Sequence, residues 1–395
     1  VNLSDDINDY CFFDFETRAK PGVSVEDGDV TTAGTYRYAA SSYPVLLTHA
    51  VGETPVLCEE LRDFGTRMRW SSMPSRLRDF WLRAQAGNAW FVAWNAAFDR
   101  ETWNNAFPDA PLAVEMVIDA MAQAVASNLP PDLQGASTVL GRGGKQHDGK
   151  SLIKLFAPAD GGTPQSHPAE WARYKSYAVT DTDELRGVFK ATLPLSAAEW
   201  REYWAGERIN QRGMAIDLPF VARAARLAEE EKLRTNRALK ALTDGVVTTV
   251  NQHQRIADWV WDRLEYSEAR AMMTKEYDEE EGEIVVAKIG IGRNRVEALL
   301  AFFEDRKEKH GLTNIEEIVV RVLELRQFGG SSTPLKFSKM AAQHDGGRLK
   351  GQYVFNGAQQ TGRYSSRGVQ VHNLNRSSLG EDESEAIEII KELEL

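Results

Sequence analysis

Apolar and polar positions change period along this chain, and the change divides it. From residue 1 to about residue 195, short apolar runs of strand length alternate with stretches of helical spacing, the pattern of a mixed α/β domain. Cys11, Phe12, Phe13 and Phe15 form one such run, and Ala89-Trp90-Phe91-Val92-Ala93-Trp94 another. The second leads into Asn95-Ala96-Ala97-Phe98-Asp99-Arg100-Glu101, which reads as a turn into a helix. Asn95 is its expected N-cap, since an Asn side chain accepts an orphan backbone N–H. Pro168 suits an early helical position. Trp171, Tyr174, Val179, Leu185 and Val188 supply apolar positions for the helical stretches that follow.

Beyond about residue 195 helical spacing dominates. Asp217 reads as the cap of a helix starting at Leu218-Pro219, with Phe220, Val221, Ala224, Ala225 and Ala228 on one side and Gly245 ending it. Ile256, Trp259, Val260 and Leu264 mark a second helix. Ile315, Ile318, Val319, Val322 and Leu323 mark a third, with Asn314 as its cap. The acidic run at residues 276–283 is expected in a solvated loop or on the rim of an insertion. Ile387, Ile390 and Leu393 recur at helical spacing, so the acidic tail is expected as a short amphipathic helix cut off from its packing partners. Trp90, Trp94, Trp171 and Trp259 sit in apolar patterns and read as core.

Chemistry enters where acids interrupt these patterns. Side chains alternate across a strand, so Asp14 and Glu16 share a face while Phe13 and Phe15 take the other. Two carboxylates on one face of an apolar strand repel each other and lose hydration, and hard divalent cations with oxygen ligands relieve both costs. Asp99 falls in the first turns of the helix after Asn95. Tyr177 and Asp181 are four apart and occupy one helical face. Taken singly, the strand pair is equally a strand end in water, while Asp99 reads better as an exposed helical acid and Tyr177 with Asp181 as an unrelated surface pair; the combination carries the signal.

Composition adds limits. A chain of 395 residues can hold two or three domains. Two cysteines, Cys11 and Cys58, give no disulfide framework and suit a reducing cytosol. No apolar run reaches membrane-spanning length and no secretory leader is visible, so a soluble protein of the cytoplasm is expected, with no membrane partner. No nucleophilic Cys or Ser and no zinc cluster stands out. The net charge of −11 argues against nucleic acid until its distribution is read. Residues 321–376 hold nine Lys or Arg against two acids, +7, whereas residues 377–395 hold seven acids against one Lys, −6. In the basic stretch Arg326, Lys336, Lys339, Lys350, Arg363, Arg367 and Arg376 are candidates to track phosphates, or simply a solvated basic face.

The ordered set of Asp14-x-Glu16 on a strand, Asn95-x-x-x-Asp99 at a strand-to-helix turn and Tyr177-x-x-x-Asp181 on a later helix resembles the DEDD-type 3′–5′ exonucleases. Residues 151–156 resemble the segment that phage-type members carry between the second and third motifs. Residues 357–376, beginning Gly357-Ala358-Gln359-Gln360-Thr361-Gly362-Arg363-Tyr364, resemble the stretch of family A DNA polymerases that grips the primer–template minor groove. Residues 207–217 are similar to that family's approach to the thumb, and residues 323–327 and 331–339 to its exit. The resemblance is weakest at residues 270–295. It departs at His372, where a glutamine is common, and at Asn375, where a proline is common.

That resemblance implies a ribonuclease H-like mixed-sheet exonuclease domain over residues 1–195 and a helix-rich, thumb-like region over 196–350. The start of a palm would follow at 351–376 and a truncated acidic helix at 377–395. It implies two divalent metal ions, Mg²⁺ or Mn²⁺, held by Asp14, Glu16, Asp99 and Asp181 with Asp14 as bridge, and Tyr177 orienting the attacking water. Phe15 and Asn95 would meet the single-stranded 3′ end of DNA. Arg326, Lys336, Lys339, Arg363, Arg367, Gln370, Asn373 and Arg376 would contact the primer–template duplex, Tyr364 would line the groove, and His372 would touch DNA or serve as a hydrogen-bonded structural histidine. The chain begins at Val1 and stops at Leu395 before any polymerase carboxylate motif. It is therefore expected to be a fragment of a family A, phage-type polymerase whose palm and fingers are a missing partner. It would proofread in the host cytoplasm if phage-encoded and would not polymerise alone. Alternatives are a ribonuclease D-like RNA exonuclease, a DNA-binding module with a vestigial nuclease, and one subunit of a split polymerase.

Overall fold

The computed structural model describes residues 3–21, 34–61, 69–143, 149–269, 272–278, 283–330, 333–358, 360–374 and 382–393. Arg376, Asn375 and residues 279–282 of the acidic run lie outside the described residues. The chain forms two compact units, one of Val1–Asp217 with Ala342–Leu374, the other of Leu218–Ala341 with Asn375–Leu395.

The first unit is built on a five-stranded sheet. Its elements are β1 (Tyr10–Ala19), α1 (Thr35–Ala40), β2 (Ser42–Val51), β3 (Leu57–Glu60), α2 (Ser75–Gln85), β4 (Trp90–Ala93), α3 (Ala97–Ala106), β5 (Val117–Asp119), α4 (Ala120–Ala126), α5 (Leu133–Val139), α6 (Gly149–Phe156), α7 (Pro168–Ala191) and α8 (Ala197–Arg212). The strand order is β3-β2-β1-β4-β5. β2 runs antiparallel to both neighbours, while β1, β4 and β5 are parallel. β1 is central because its aromatic and β-branched residues cover both faces. Cys11, Phe13 and Phe15 pack on one side around Trp103, Phe91 and Phe107. Tyr10 and Phe12 pack on the other, against Leu185 of α7 and Trp200, Tyr203 and Trp204 of α8. This burial places α8 with the sheet, although residues from 196 onward were expected in the helical region.

The segment expected as the edge of a palm also folds within this unit. Its strands Tyr353–Ala358 and Arg363–Ser366 pair as a hairpin. Asn210, buried on α8, acts like a piece of strand edge: its side chain donates to Tyr353 O and accepts from Tyr353 N–H, both at 2.9 Å. The Tyr364 hydroxyl donates to Glu202 O at 2.9 Å, and its ring lies against Gly206, where a Cβ would stand 2.3 Å from the hydroxyl oxygen.

The second unit is mainly helical: α9 (Leu218–Leu242), α10 (His253–Trp261), α11 (Arg293–His310), α12 (Asn314–Gly329), α13 (Thr333–Gln343, whose last residues belong to the first unit) and α14 (Glu383–Glu392). Leu239, Ile256, Val260, Leu299, Phe303, Val319, Val322 and Leu323 form its core. α9 runs to Leu242, and Gly245, at φ 83°, closes its end as expected, its N–H donating to Lys240 O at 2.8 Å. Several other sequence expectations change here. α12 is capped by Thr313, not Asn314, because Thr313 and Glu316 form a reciprocal capping box. Ile315 and Ile318 are exposed; the buried stripe of α12 runs through Val319, Val322, Leu323 and Leu325. The acidic run is not simply a loop, since it overlaps a hairpin of strands Met273–Asp278 and Glu283–Ile289. The tail helix α14 is not cut off from all partners, because it packs on α9, where Arg223 Nε donates to Leu393 O at 3.2 Å.

Candidate functional site

β1, α3 and α7 bring the five motif residues of the first unit into one neighbourhood. Glu16 is 8% exposed and Asp99 1%, while Asp14, Tyr177 and Asp181 are half-buried. Asp14 pairs in register with Thr48 of β2 and Glu16 with Leu46. The register slips immediately after Glu16, leaving Val45 as the extra residue on β2. Such a bulge adds local twist and re-aims the strand. Asp99 reaches across from α3, and its Oδ1 accepts the Phe15 N–H at 3.1 Å. On α7 the Tyr177 hydroxyl and the Asp181 carboxylate lie close enough that each perturbs the other. α7 is held to the sheet by a chain of hydroxyls: Thr48 Oγ1 meets Thr182 Oγ1 at 2.6 Å and donates to Asp14 O at 3.3 Å.

Electrostatics describe the cluster better than any single distance. Burial, then the Asp181 charge, pushes Asp14 up to about 7. Burial and the Asp14 charge hold Glu16 well above the usual range, against the opposing pull of the Tyr174 hydroxyl. Asp99 is likewise raised by burial and by Asp14, against its hydrogen bond from Phe15. Burial raises Asp181 to about 6, while the neighbouring Tyr177 hydroxyl lowers it. Asp14 and Glu16 thus each interact electrostatically with the other three acids. Among the described residues, no lysine, arginine or histidine is one of the groups that shift these four.

Among the described residues no three His, Cys, Asp or Glu side chains are gathered tightly enough to cage one ion. The donor chemistry nonetheless fits hard divalent cations: all donors are oxygens, and four neighbouring acids without a cationic partner are what such ions neutralise.

The pH response of the metal-free protein follows from these shifts. Asp14 is at about 7 folded against 3.8 ordinarily, so between pH 4 and 7 the folded state holds more protons than the unfolded one. Stability therefore falls as pH rises through that window. In chelator, Asp14→Asn is expected to melt progressively higher than the unmutated chain as pH goes from 5 to 8. A melting difference that is the same at every pH would show that Asp14 is not raised.

Three sequence expectations are corrected. Asn95 is not the N-cap: its φ is 55°, α3 begins at Ala97 after Ala96, and no side-chain cap bond forms. Its backbone N–H instead donates to Asp119 Oδ1 at 3.0 Å, because a short polar residue tolerates the left-handed turn that redirects the chain. The Phe15 ring is core rather than an exposed face: it is 3% exposed and packs edge-on to Phe13 and Trp103. His372 is exposed on a short turn, Val371–Asn373, and not tucked into structure.

The candidate DNA contacts divide between the units. Arg363, Gln370 and Asn373 are exposed in the first unit. Arg367 there is half-buried and donates from Nε to Gly351 O at 2.9 Å. In the second unit Lys339 is exposed and Lys336 half-buried. Burial lowers Arg326, whose Nε has no hydrogen-bond partner among the described residues. Trp90, Trp171 and Trp259 are buried, and Trp94, half-buried, donates to Pro131 O. Cys11 and Cys58 are both free, and no helix among the described residues is long and apolar enough to cross a membrane.

Sequence reasoning missed two supports. Gly149 opens α6 flat against Tyr177, where a Cβ would stand 2.4 Å from the ring. Tyr174, read only as an apolar position, donates its hydroxyl to Glu16 Oε2 at 2.6 Å. Its spacing of three from Tyr177 was the available signal.

A mixed α/β protein with a buried acidic site on its sheet is thus defined, and comparison places it near DNA polymerases. No protein-family model matches the chain. Over 379 residues it is 25% identical to a DNA polymerase of Bacillus phage SP02, covering 92% of this chain and 52% of that protein. The chain spans about half the length of this curated relative. Among solved structures, the POL domain of Pol1 from M. smegmatis, in complex with DNA primer-template and dNTP, is similar with a TM-score of 0.50. That match has 12% identity and covers 86% of this chain and 51% of the other.

Proposed function

We propose that the first unit is a 3′–5′ exonuclease that removes nucleotides from single-stranded 3′ ends of DNA, as the proofreading part of a family A DNA polymerase. The observation that carries the reading is the grouping of Asp14, Glu16, Asp99, Tyr177 and Asp181 in one buried neighbourhood with no cation among the described groups that perturb the acids. The mixed sheet in the order β3-β2-β1-β4-β5, with β2 alone reversed, supports a ribonuclease H-like domain. The similarity to a phage DNA polymerase supports DNA as substrate and primer–template duplex as partner. The second unit would then be thumb-like, with Lys339, and Arg363 of the first unit, among the phosphate contacts.

Asp14, Glu16, Asp99 and Asp181 are the residues that would hold two divalent cations, Mg²⁺ or Mn²⁺. Such ions, when bound, supply Lewis-acid stabilisation of the phosphoryl oxygens and a more acidic water. Tyr177, beside Asp181, would orient the attacking water at the scissile phosphate. A frayed end reaches these acids more readily than a paired one, so selectivity for mismatches follows from melting energy.

A 5′-labelled single-stranded deoxyoligonucleotide tests the reading. With Mg²⁺ or Mn²⁺ it should shorten one nucleotide at a time from its 3′ end, and a mismatched primer terminus should be trimmed faster than a paired one. Preference for an RNA oligonucleotide of the same sequence would favour the ribonuclease D-like alternative. Binding without metal-dependent release would leave a DNA-binding module.

A further inference from the structure

We propose that Tyr174 is a positioning residue for this site: its hydroxyl fixes the orientation of the Glu16 carboxylate from which that acid would help hold a divalent cation. The inference rests on the exonuclease reading and deepens it.

The Tyr174 ring is fully buried. It stacks on Phe156 of α6 with centroids 5.1 Å apart and planes 21° apart, and lies 5.8 Å from Trp171. It also runs parallel to Tyr177, with centroids 6.4 Å apart and planes 2° apart. All of that packing is available to a phenylalanine. What only tyrosine supplies is the hydroxyl, which donates to Glu16 Oε2 at 2.6 Å in a buried setting. Glu16 has three side-chain torsions, and unconstrained it would sample several orientations. The hydrogen bond commits Oε2 and leaves Oε1 as the oxygen free of Tyr174. Groups behind a ligand that fix its orientation are commonly worth ten- to a hundredfold in metal affinity or activity.

The test is Tyr174→Phe, read by Mn²⁺ binding to the full chain without DNA, by calorimetry or the electron-spin signal of free Mn²⁺. Affinity should fall about tenfold. In the exonuclease assay half-saturating Mn²⁺ should rise by a similar factor, with the KM for the oligonucleotide unchanged. A role limited to satisfying a buried carboxylate would lower the melting temperature and leave Mn²⁺ affinity alone; that result overturns the proposal. In Glu16→Gln, adding Tyr174→Phe should cost no further affinity, because the tyrosine acts through the carboxylate; an additive loss also overturns it. Asp99→Ala separates the two levels. If Asp99→Ala binds Mn²⁺ and trims DNA as the unmutated chain does, the exonuclease reading fails. If Asp99→Ala loses both but Tyr174→Phe loses neither, only the role of Tyr174 fails.

Discussion

Replacing Asp99 with alanine is expected to slow removal of the 3′-terminal nucleotide by roughly a thousandfold, a loss of about 4 kcal/mol of transition-state stabilisation. Asp99 is the acid that α3 contributes, and it is the most deeply buried of the four. Its loss would remove a ligand of the proposed cations, and it strips the Phe15 N–H of its acceptor. The second effect costs stability on the order of 1–3 kcal/mol, because a buried donor is left unpaired. Asp99→Asn separates the two, since its amide oxygen can still accept from Phe15 while the charge is gone. Both variants should be slow, but only alanine should melt early. Binding of single-stranded DNA should change little, because the exposed basic residues are untouched. Trimming by Asp99→Ala at the unmutated rate would show that the site is wrongly assigned.

How much of this was legible depended on which physical rule each residue obeyed. Strand alternation placed Asp14 and Glu16 on one face of β1, and helical spacing placed Tyr177 and Asp181 together, because both rules are local. Alternation also predicts that Phe15 sides with Phe13, which is where it packs; expecting it at a nucleotide set that rule aside. Asn95 misled because asparagine serves helix caps and left-handed turns equally well. Tyr174 was hidden because a buried tyrosine with a polar partner and one used only for its ring look alike in sequence. The basic stretch of residues 321–376 read as one surface. Its division between two compact units could not be read from charge, since it depends on Asn210 and Tyr36 receiving residues 351–353, contacts distant in sequence.

Tyr177 and Tyr174 are three residues apart with nearly parallel rings, yet their loss should have different signatures. Tyr174 donates to Glu16, whereas Tyr177 lies half-buried beside Asp181 and the other acids. Burial and the neighbouring carboxylates raise Tyr177 far above the usual phenol range, so it stays protonated and serves as a hydrogen-bond donor rather than a base. Its contribution should then be orientation of the attacking water. Tyr177→Phe is expected to lower the hydrolytic rate by about ten- to a hundredfold, as for loss of one positioned hydrogen-bonding group. Asp181→Ala should cost more, because it removes charge that the cations need. The decisive comparison is in metal titration: the curve should be nearly unchanged for Tyr177→Phe and displaced to higher metal for Asp181→Ala. Gly149 leaves no room between α6 and the Tyr177 ring, so the phenylalanine should keep its place and the rate loss should report the hydroxyl alone. Equal rate losses in the two variants, with weakened metal affinity in Tyr177→Phe, would assign that tyrosine to the support of the ligands instead.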